Sequence, residues 1–225
     1  MSDTETQALL PHANKWSFLR QAFVELDWQK LEGILQDVAE GRANKVKYFE
    51  VEKWLVRSWT QAAYLDLHRL PPQRILDLGT GPGYFPYACR VLGHNIWALD
   101  KPGTPLYDVM CEWIGVDVVP HTITAKVPLP AFSTRFDLIT AIRIGFNSKG
   151  RRGNRVLFDL DDWGFFLDDL RDNLLQPGGR VLLKMIDQDD FTGLKFGDQP
   201  LLDYFASRGA TFDHSKRIVL FDTLR

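Results

Sequence analysis

Residues Arg74-Ile75-Leu76-Asp77-Leu78-Gly79-Thr80-Gly81-Pro82-Gly83-Tyr84-Phe85 read as a buried strand that runs through a glycine-rich turn into a helix. A strand–turn–helix of this kind fits one unit of a chain that alternates β and α elements. Glycine lacks Cβ, so Gly79 and Gly81 can take positive φ and let the bare backbone approach a ligand. The helix start that follows offers unpaired N–H groups. Further along, the apolar run Ile96-Trp97-Ala98-Leu99 ends in Asp100, which sets a carboxylate at the tip of the next strand. An acidic side chain there can accept hydrogen bonds from the two hydroxyls of a ribose, so the pair of features reads as a nucleotide-cofactor site.

The glycine spacing separates two kinds of such sites. It is Gly-x-Gly-x-Gly, whereas the dinucleotide fingerprint places glycines first, third and sixth, and the sixth place here is Tyr84. The run resembles the first motif of the class I S-adenosylmethionine-dependent methyltransferases, an apolar strand and an acidic residue followed by Gly-x-Gly-x-Gly. Asp77 fits the acidic position, Gly79, Gly81 and Gly83 the glycines, and Asp100 the ribose-binding acid; the resemblance runs over residues 74–225. It implies an α/β fold: a seven-stranded, mostly parallel sheet of order 3-2-1-4-5-7-6 with an antiparallel C-terminal hairpin and helices on both faces.

A chain of 225 residues with 45% hydrophobic content can bury a sizeable core, and is most simply one domain with an extension. No apolar run approaches the roughly 20 residues that span a bilayer, and residues 1–7 are polar, so the expected compartment is the cytoplasm. Cys89 and Cys111 form no Cys-x-x-Cys and have no histidine cluster beside them, which argues against a disulfide framework and a metal site. A net charge of -2 lacks the basic excess of a protein that grips nucleic acid through phosphates.

Residues 1–13 have the character of a frayed end. Trp16, Leu19, Phe23 and Leu26, then Leu31, Ile34, Leu35 and Val38, recur at helical steps, as do Val51, Trp54, Leu55, Trp59, Ala62 and Ala63. Pro71-Pro72 stops that helical run, so residues 1–70 are read as a helical extension or lid and 71–225 as the cofactor-binding domain. A helix over 84–92, a strand over 95–99 and a helix from Pro105 capped by Thr104 follow. The third strand, 116–122, contains Pro120, which cannot donate to a ladder and belongs on a sheet edge. Residues 136–144 form a fourth strand, and Asp161 or Asp162 opens a helix with Phe165, Phe166, Leu170 and Leu174 on its apolar face. Pro177-Gly178-Gly179 ends that helix before a fifth strand at 181–186. A short helix over 201–207 and strands at 210–213 and 218–221 complete the chain, and the connection between those last strands is so short that they must be antiparallel.

Ligands of an open parallel sheet lie beyond the carboxyl ends of its strands, where strand order reverses. By the resemblance, the backbone at Gly79, Thr80 and Gly81 faces the methionine part of S-adenosylmethionine, with Gly83 closing the turn. Asp77 helps hold its ammonium group, Asp100 grips the ribose, and Lys101 lies beside the adenine. Where the family often uses an acid after the third strand for the adenine amine, this chain has His121-Thr122. Acceptor candidates are Tyr48 on the extension and Arg143, Asn147 and Arg152 in segment 143–155, which holds five basic residues and no acid. The Asn/Asp-Pro-Pro-aromatic motif of amino-group methyltransferases is absent around Asn147, which argues against DNA bases. No catalytic side chain stands out, and methyl transfer from a sulfonium needs mainly alignment. The expected activity is methyl transfer to oxygen or nitrogen of a small molecule. The alternatives are RNA or protein modification through the basic loop 149–155, and cofactor binding without transfer.

Overall fold

The computed structural model describes residues 3–39, 43–149, 156–186 and 191–225. The chain forms two compact units: Met1–Pro72, Thr80–Ile96 and Gly103–Val118 make one, and Gln73–Gly79, Trp97–Pro102 and Val119–Arg225 make the other. In chain order the elements are α1 (Asp3–Glu25), α2 (Trp28–Ala39), a 3-10 helix (Ala43–Phe49), α3 (Val51–Tyr64), β1 (Arg74–Leu78), α4 (Tyr84–Val91), β2 (Asn95–Asp100), α5 (Pro105–Trp113) and β3 (Val118–Pro120). Then come β4 (Phe136–Ile142), β5 (Asn147–Lys149), β6 (Val156–Leu157), α6 (Leu160–Asp169), a π turn (Leu170–Leu174), β7 (Leu175–Lys184), α7 (Gln199–Ser207), β8 (Ala210–Asp213) and β9 (Ile218–Phe221).

The sheet runs β3-β2-β1-β4-β7-β9-β8, which in strand sequence is the expected order 3-2-1-4-5-7-6; β5 and β6 form a separate antiparallel ribbon between β4 and α6. β1 pairs in parallel with β4 and β4 with β7, while β9 runs antiparallel to both β7 and β8. Pro120 lies on the edge strand β3, as its missing N–H requires. Val181, Leu182 and Leu183 are all buried, consistent with a parallel strand covered on both faces. The core of this unit gathers Leu76, Leu78, Leu99, Ile139, Val181 and Val219 with an aromatic cluster in which Trp163 touches Phe146, Phe158, Phe166 and Phe205.

Several local expectations shift. β7 starts at Leu175 and runs through Pro177-Gly178-Gly179, because Phe136 pairs with Leu175 while Leu138 pairs with Arg180. The proline and glycines are thus the bulge of a strand rather than the stop of a helix. α6 starts at Leu160 because Asp159 and Asp162 make a reciprocal capping box, each carboxylate accepting the other's backbone N–H. Phe165 is exposed, being rotated off the stripe of Phe166, Leu170 and Leu174. Thr104 caps α5 without its hydroxyl: its carbonyl accepts Tyr107 and Asp108 N–H.

In the helical unit, α1 begins at Asp3, within the span expected to fray. Its buried stripe is Phe18, Leu19 and Ala22, continued by Leu26 just past its end, and Trp16 is exposed. Phe18 packs on Trp59 of α3, the Tyr87 hydroxyl donates to Ala22 O at 2.6 Å, and Trp113 Nε1 donates to Asp27 O at 2.6 Å. His94 is buried, with Nε2 2.9 Å from Leu67 O. Burial lowers the His94 pKa against the opposing pull of that bond, and burial followed by the charge of Arg69 lowers the pKa of His68.

A histidine whose folded pKa lies below its unfolded value of about 6.5 contributes stability that is fully present above that pH and lost as pH falls through the folded value. Urea midpoints should therefore hold level above about pH 6.5 and decline toward pH 5. His94→Gln, which keeps a side-chain N–H for Leu67 O, should show a shallower decline over that range, and an identical slope would dismiss the assignment. A second loss is expected in stronger acid. Hydrogen bonds from Lys216 and Ser215 hold Asp213 down to about 2, and Asp137 stays below the ordinary carboxylate range because, against burial, the bonds and charge of Arg74 prevail.

Candidate functional site

β1 ends in Asp77 and Leu78, and the chain leaves it through Gly79, whose N–H donates to Leu99 O at 2.7 Å, tying the carboxyl ends of β1 and β2 together. Gly79 takes φ +68°, and an added Cβ would overlap Cγ2 of Ile144. Both the backbone angle and the neighbour therefore demand glycine. Asp77 is 2% exposed and Thr140, its register partner on β4, is 0% exposed; the Thr140 hydroxyl donates to Asp77 Oδ1 at 2.6 Å. That short bond orients the Asp77 carboxyl group.

Asp100 closes β2. Its Oδ1 accepts the Lys101 N–H at 2.7 Å, and its carbonyl accepts the His121 N–H at 2.8 Å from just beyond β3. Lys101 therefore meets Asp100 through its backbone, and its side chain is exposed. His121 Nε2 is buried and has no hydrogen-bond partner among the described residues.

On β4 the strand stops at Ile142, two residues short of the sequence expectation. Arg143 adopts φ +61°, a left-handed conformation that a non-glycine residue rarely takes, while its N–H still donates to Lys184 O at 2.8 Å. That turn directs Ile144 onto Gly79 and leaves Arg143 exposed. Asn147 lies on the ribbon opposite Leu157. Arg152, with the rest of 150–155, lies outside the described residues, so of the basic loop 149–155 only the backbone of Lys149 is defined.

The second half of the glycine turn belongs to the helical unit. Thr80 is buried, and its carbonyl accepts Gly83 N–H at 3.2 Å. Gly81 takes φ +58°, and among the described residues beyond its chain neighbours an added Cβ would meet only Cε2 of Tyr107, at 3.9 Å. Gly81 is thus required by its angle and not by crowding. Gly83, the residue before α4 at φ +79°, is crowded by Ile114 and Cys111 of the α5 region, and the Cys111 thiol donates to Gly81 O at 3.3 Å.

Tyr84, the sixth place, is 3% exposed, and burial pushes its phenol pKa up. Its hydroxyl donates to Tyr48 O at 2.6 Å, and the Tyr48 and Tyr107 hydroxyls share a hydrogen bond at 2.9 Å. Tyr48, Trp54, Tyr84 and Tyr107 form a chain of ring contacts beside the Gly81 turn.

Asp77, Gly79 and Asp100 are therefore held together by the ends of β1 and β2, Arg143 is adjacent through Ile144, and Tyr48 belongs to the helical unit with Gly81 and Gly83. Thr140, bonded to Asp77, and Tyr107, beside Gly81 in the helical unit, are functional candidates that no motif had singled out. Thr140 interrupts the apolar stretch Leu138–Ile142 of β4, which is a visible signal, but its partner depends on the β1–β4 register. Among the described residues, no three His, Cys, Asp or Glu side chains gather as metal ligands, and no helix is long and apolar enough to cross a membrane.

No protein-family model and no curated protein matches this chain. Solved structures that it resembles include Streptomyces venezuelae DesVI, at 11% identity over 68% of this chain and 57% of that one, with a TM-score of 0.44. The ribosomal protein L11 methylase from Lactobacillus delbrueckii subsp. bulgaricus matches at 20% identity over 72% and 75%, with a TM-score of 0.43. CalS10, an amino pentose methyltransferase from Micromonospora echinaspora, matches at 16% identity over 68% and 56%, with a TM-score of 0.42. The chain spans little more than half the length of DesVI and of the glycopeptide N-methyltransferase MtfA, at 57% and 52%.

Proposed function

We propose that this chain is an S-adenosylmethionine-dependent methyltransferase acting on oxygen or nitrogen of a small molecule. The observation that carries the reading is the position of the glycine turn. It leaves the carboxyl end of β1, the strand from which the sheet order departs in both directions, as β1-β2-β3 to one side and β4-β7-β9-β8 to the other. That is the switch point at which doubly wound sheets bind ligands.

The side chains fit the cofactor's chemistry. Asp77 matches an ammonium group, the uncrowded backbone at Gly81 matches close approach of a ligand, and Asp100 matches a ribose diol. In this reading Thr80 and Gly83 shape the turn, and Lys101 lies near the adenine. The cofactor, when bound, supplies an electrophilic methyl on a sulfonium, so the protein's part is to align the acceptor and exclude water. Tyr48 is proposed for the acceptor side, as part of a lid formed by residues 1–70. The bond from Tyr84 to Tyr48 O and the Tyr48–Tyr107 hydroxyl pair support this by fixing that segment beside the Gly81 turn. Arg143 and Asn147 are proposed to recognise a polar group of the acceptor, with Arg152.

Calorimetric titration tests the assignment. S-adenosylhomocysteine should bind and NAD should not, since the sixth place of the turn is the buried Tyr84. Binding of NAD with no response to S-adenosylhomocysteine would overturn it.

A further inference from the structure

We infer that Thr140 is a positioning residue: its hydroxyl sets the Asp77 carboxylate so that it receives the ammonium group of the cofactor's amino-acid end. This rests on the functional reading above. A buried carboxylate is costly unless it is bonded or paired, and a leucine in its place would serve the surrounding core better. Asp77 nonetheless lies 2% exposed between Leu76 and Leu78, both of the apolar core. Its position next to Leu78 and the Gly79 turn is the ligand-binding end of the sheet, where a carboxylate serves a bound group better than it serves the core.

Thr140 is just as unusual. A buried threonine hydroxyl often turns to a nearby backbone group, whereas this one crosses from β4 to β1 and donates to Oδ1 at 2.6 Å. The parallel register places Asp77 opposite Thr140, so the donor meets the carboxylate without disturbing the ladder. A hydroxyl adds no charge. It therefore orients the carboxylate without cancelling the negative charge that an ammonium group needs, which a lysine or arginine at the same place would do.

The test compares two ligands that differ in the amino-acid end that carries the group in question. S-adenosylhomocysteine carries the ammonium; 5′-methylthioadenosine keeps the adenosine and thioether and lacks the amino-acid end. In calorimetry, Thr140→Val should weaken S-adenosylhomocysteine about tenfold or more, leave 5′-methylthioadenosine within about twofold, and be restored by Thr140→Ser. Asp77→Asn should show the same selective loss, and combining it with Thr140→Val should add little, as for two residues acting as one unit.

Equal loss for both ligands would reduce Thr140 to a structural role and overturn the inference, as would unchanged S-adenosylhomocysteine affinity in Thr140→Val. Should the valine variant not fold, Thr140→Ala set against Thr140→Ser makes the same comparison. Wild-type protein that binds neither ligand would refute the functional reading and this inference together, whereas wild-type binding with an insensitive Thr140 refutes the inference alone.

Discussion

Gly79→Ala is expected to lower stability by about 2–5 kcal/mol, combining about 1–2 kcal/mol for a left-handed non-glycine residue with about 1–3 kcal/mol for overpacking. The two parts have separate causes. The first comes from φ +68°, imposed where the chain leaves β1 while Gly79 N–H remains bonded to Leu99 O. The second comes from Ile144, whose Cγ2 occupies the place an alanine methyl would take. Urea unfolding separates them: Ile144→Ala in the same molecule should recover the crowding part and leave the backbone part, so the double variant should be more stable than the sum of the single changes predicts. A wild-type midpoint for Gly79→Ala would show that the turn is looser than these contacts require. Gly81→Ala provides the contrast, since only its φ of +58° opposes a side chain and its nearest neighbour is 3.9 Å away.

Asp100→Ala is expected to do the reverse, sparing the fold and removing the ligand. The backbone at Asp100 is held by its carbonyl, which accepts His121 N–H at 2.8 Å, and that bond survives loss of the carboxylate. The lost side-chain bond to Lys101 N–H lies at the surface, where water replaces it. Thermal stability of the free protein should shift by no more than about 0.5 kcal/mol. Hydrogen bonds from ribose hydroxyls to a carboxylate contribute on the order of 1.5–3 kcal/mol each, so S-adenosylhomocysteine affinity should fall at least about tenfold. The rise in melting temperature on adding that ligand should shrink in proportion. Wild-type affinity in Asp100→Ala would mean that the ribose, if bound, is held elsewhere, and would remove one of the two carboxylates on which the functional proposal stands.

Features that depend on a few neighbouring residues are legible in the amino-acid order alone. The apolar run ending in Gly79, the carboxylate at the end of β2, the edge position of Pro120 and the C-terminal hairpin follow from steric rules acting over a handful of residues. The strand order follows from the resemblance carried by the same short motifs. Features that only the tertiary structure decides depend on residues far apart. Gly178 and Gly179 look like a helix stop until Phe136 is seen to pair with Leu175 and Leu138 with Arg180, which turns them into a bulge. The end of β4 at Ile142 depends on Arg143 holding a left-handed angle, a conformation that arginine would not choose alone and that its bond to Lys184 O and the seating of Ile144 on Gly79 accompany. In the sequence Asp77 and Thr140 are separate signals, an acid in a motif and a polar residue in an apolar strand. Their bond exists because two parallel strands, joined by a long crossover, align in one register out of several. Local sequence sets which residues can form strands and turns, but side-chain partners across parallel strands are chosen by the packing of the whole sheet.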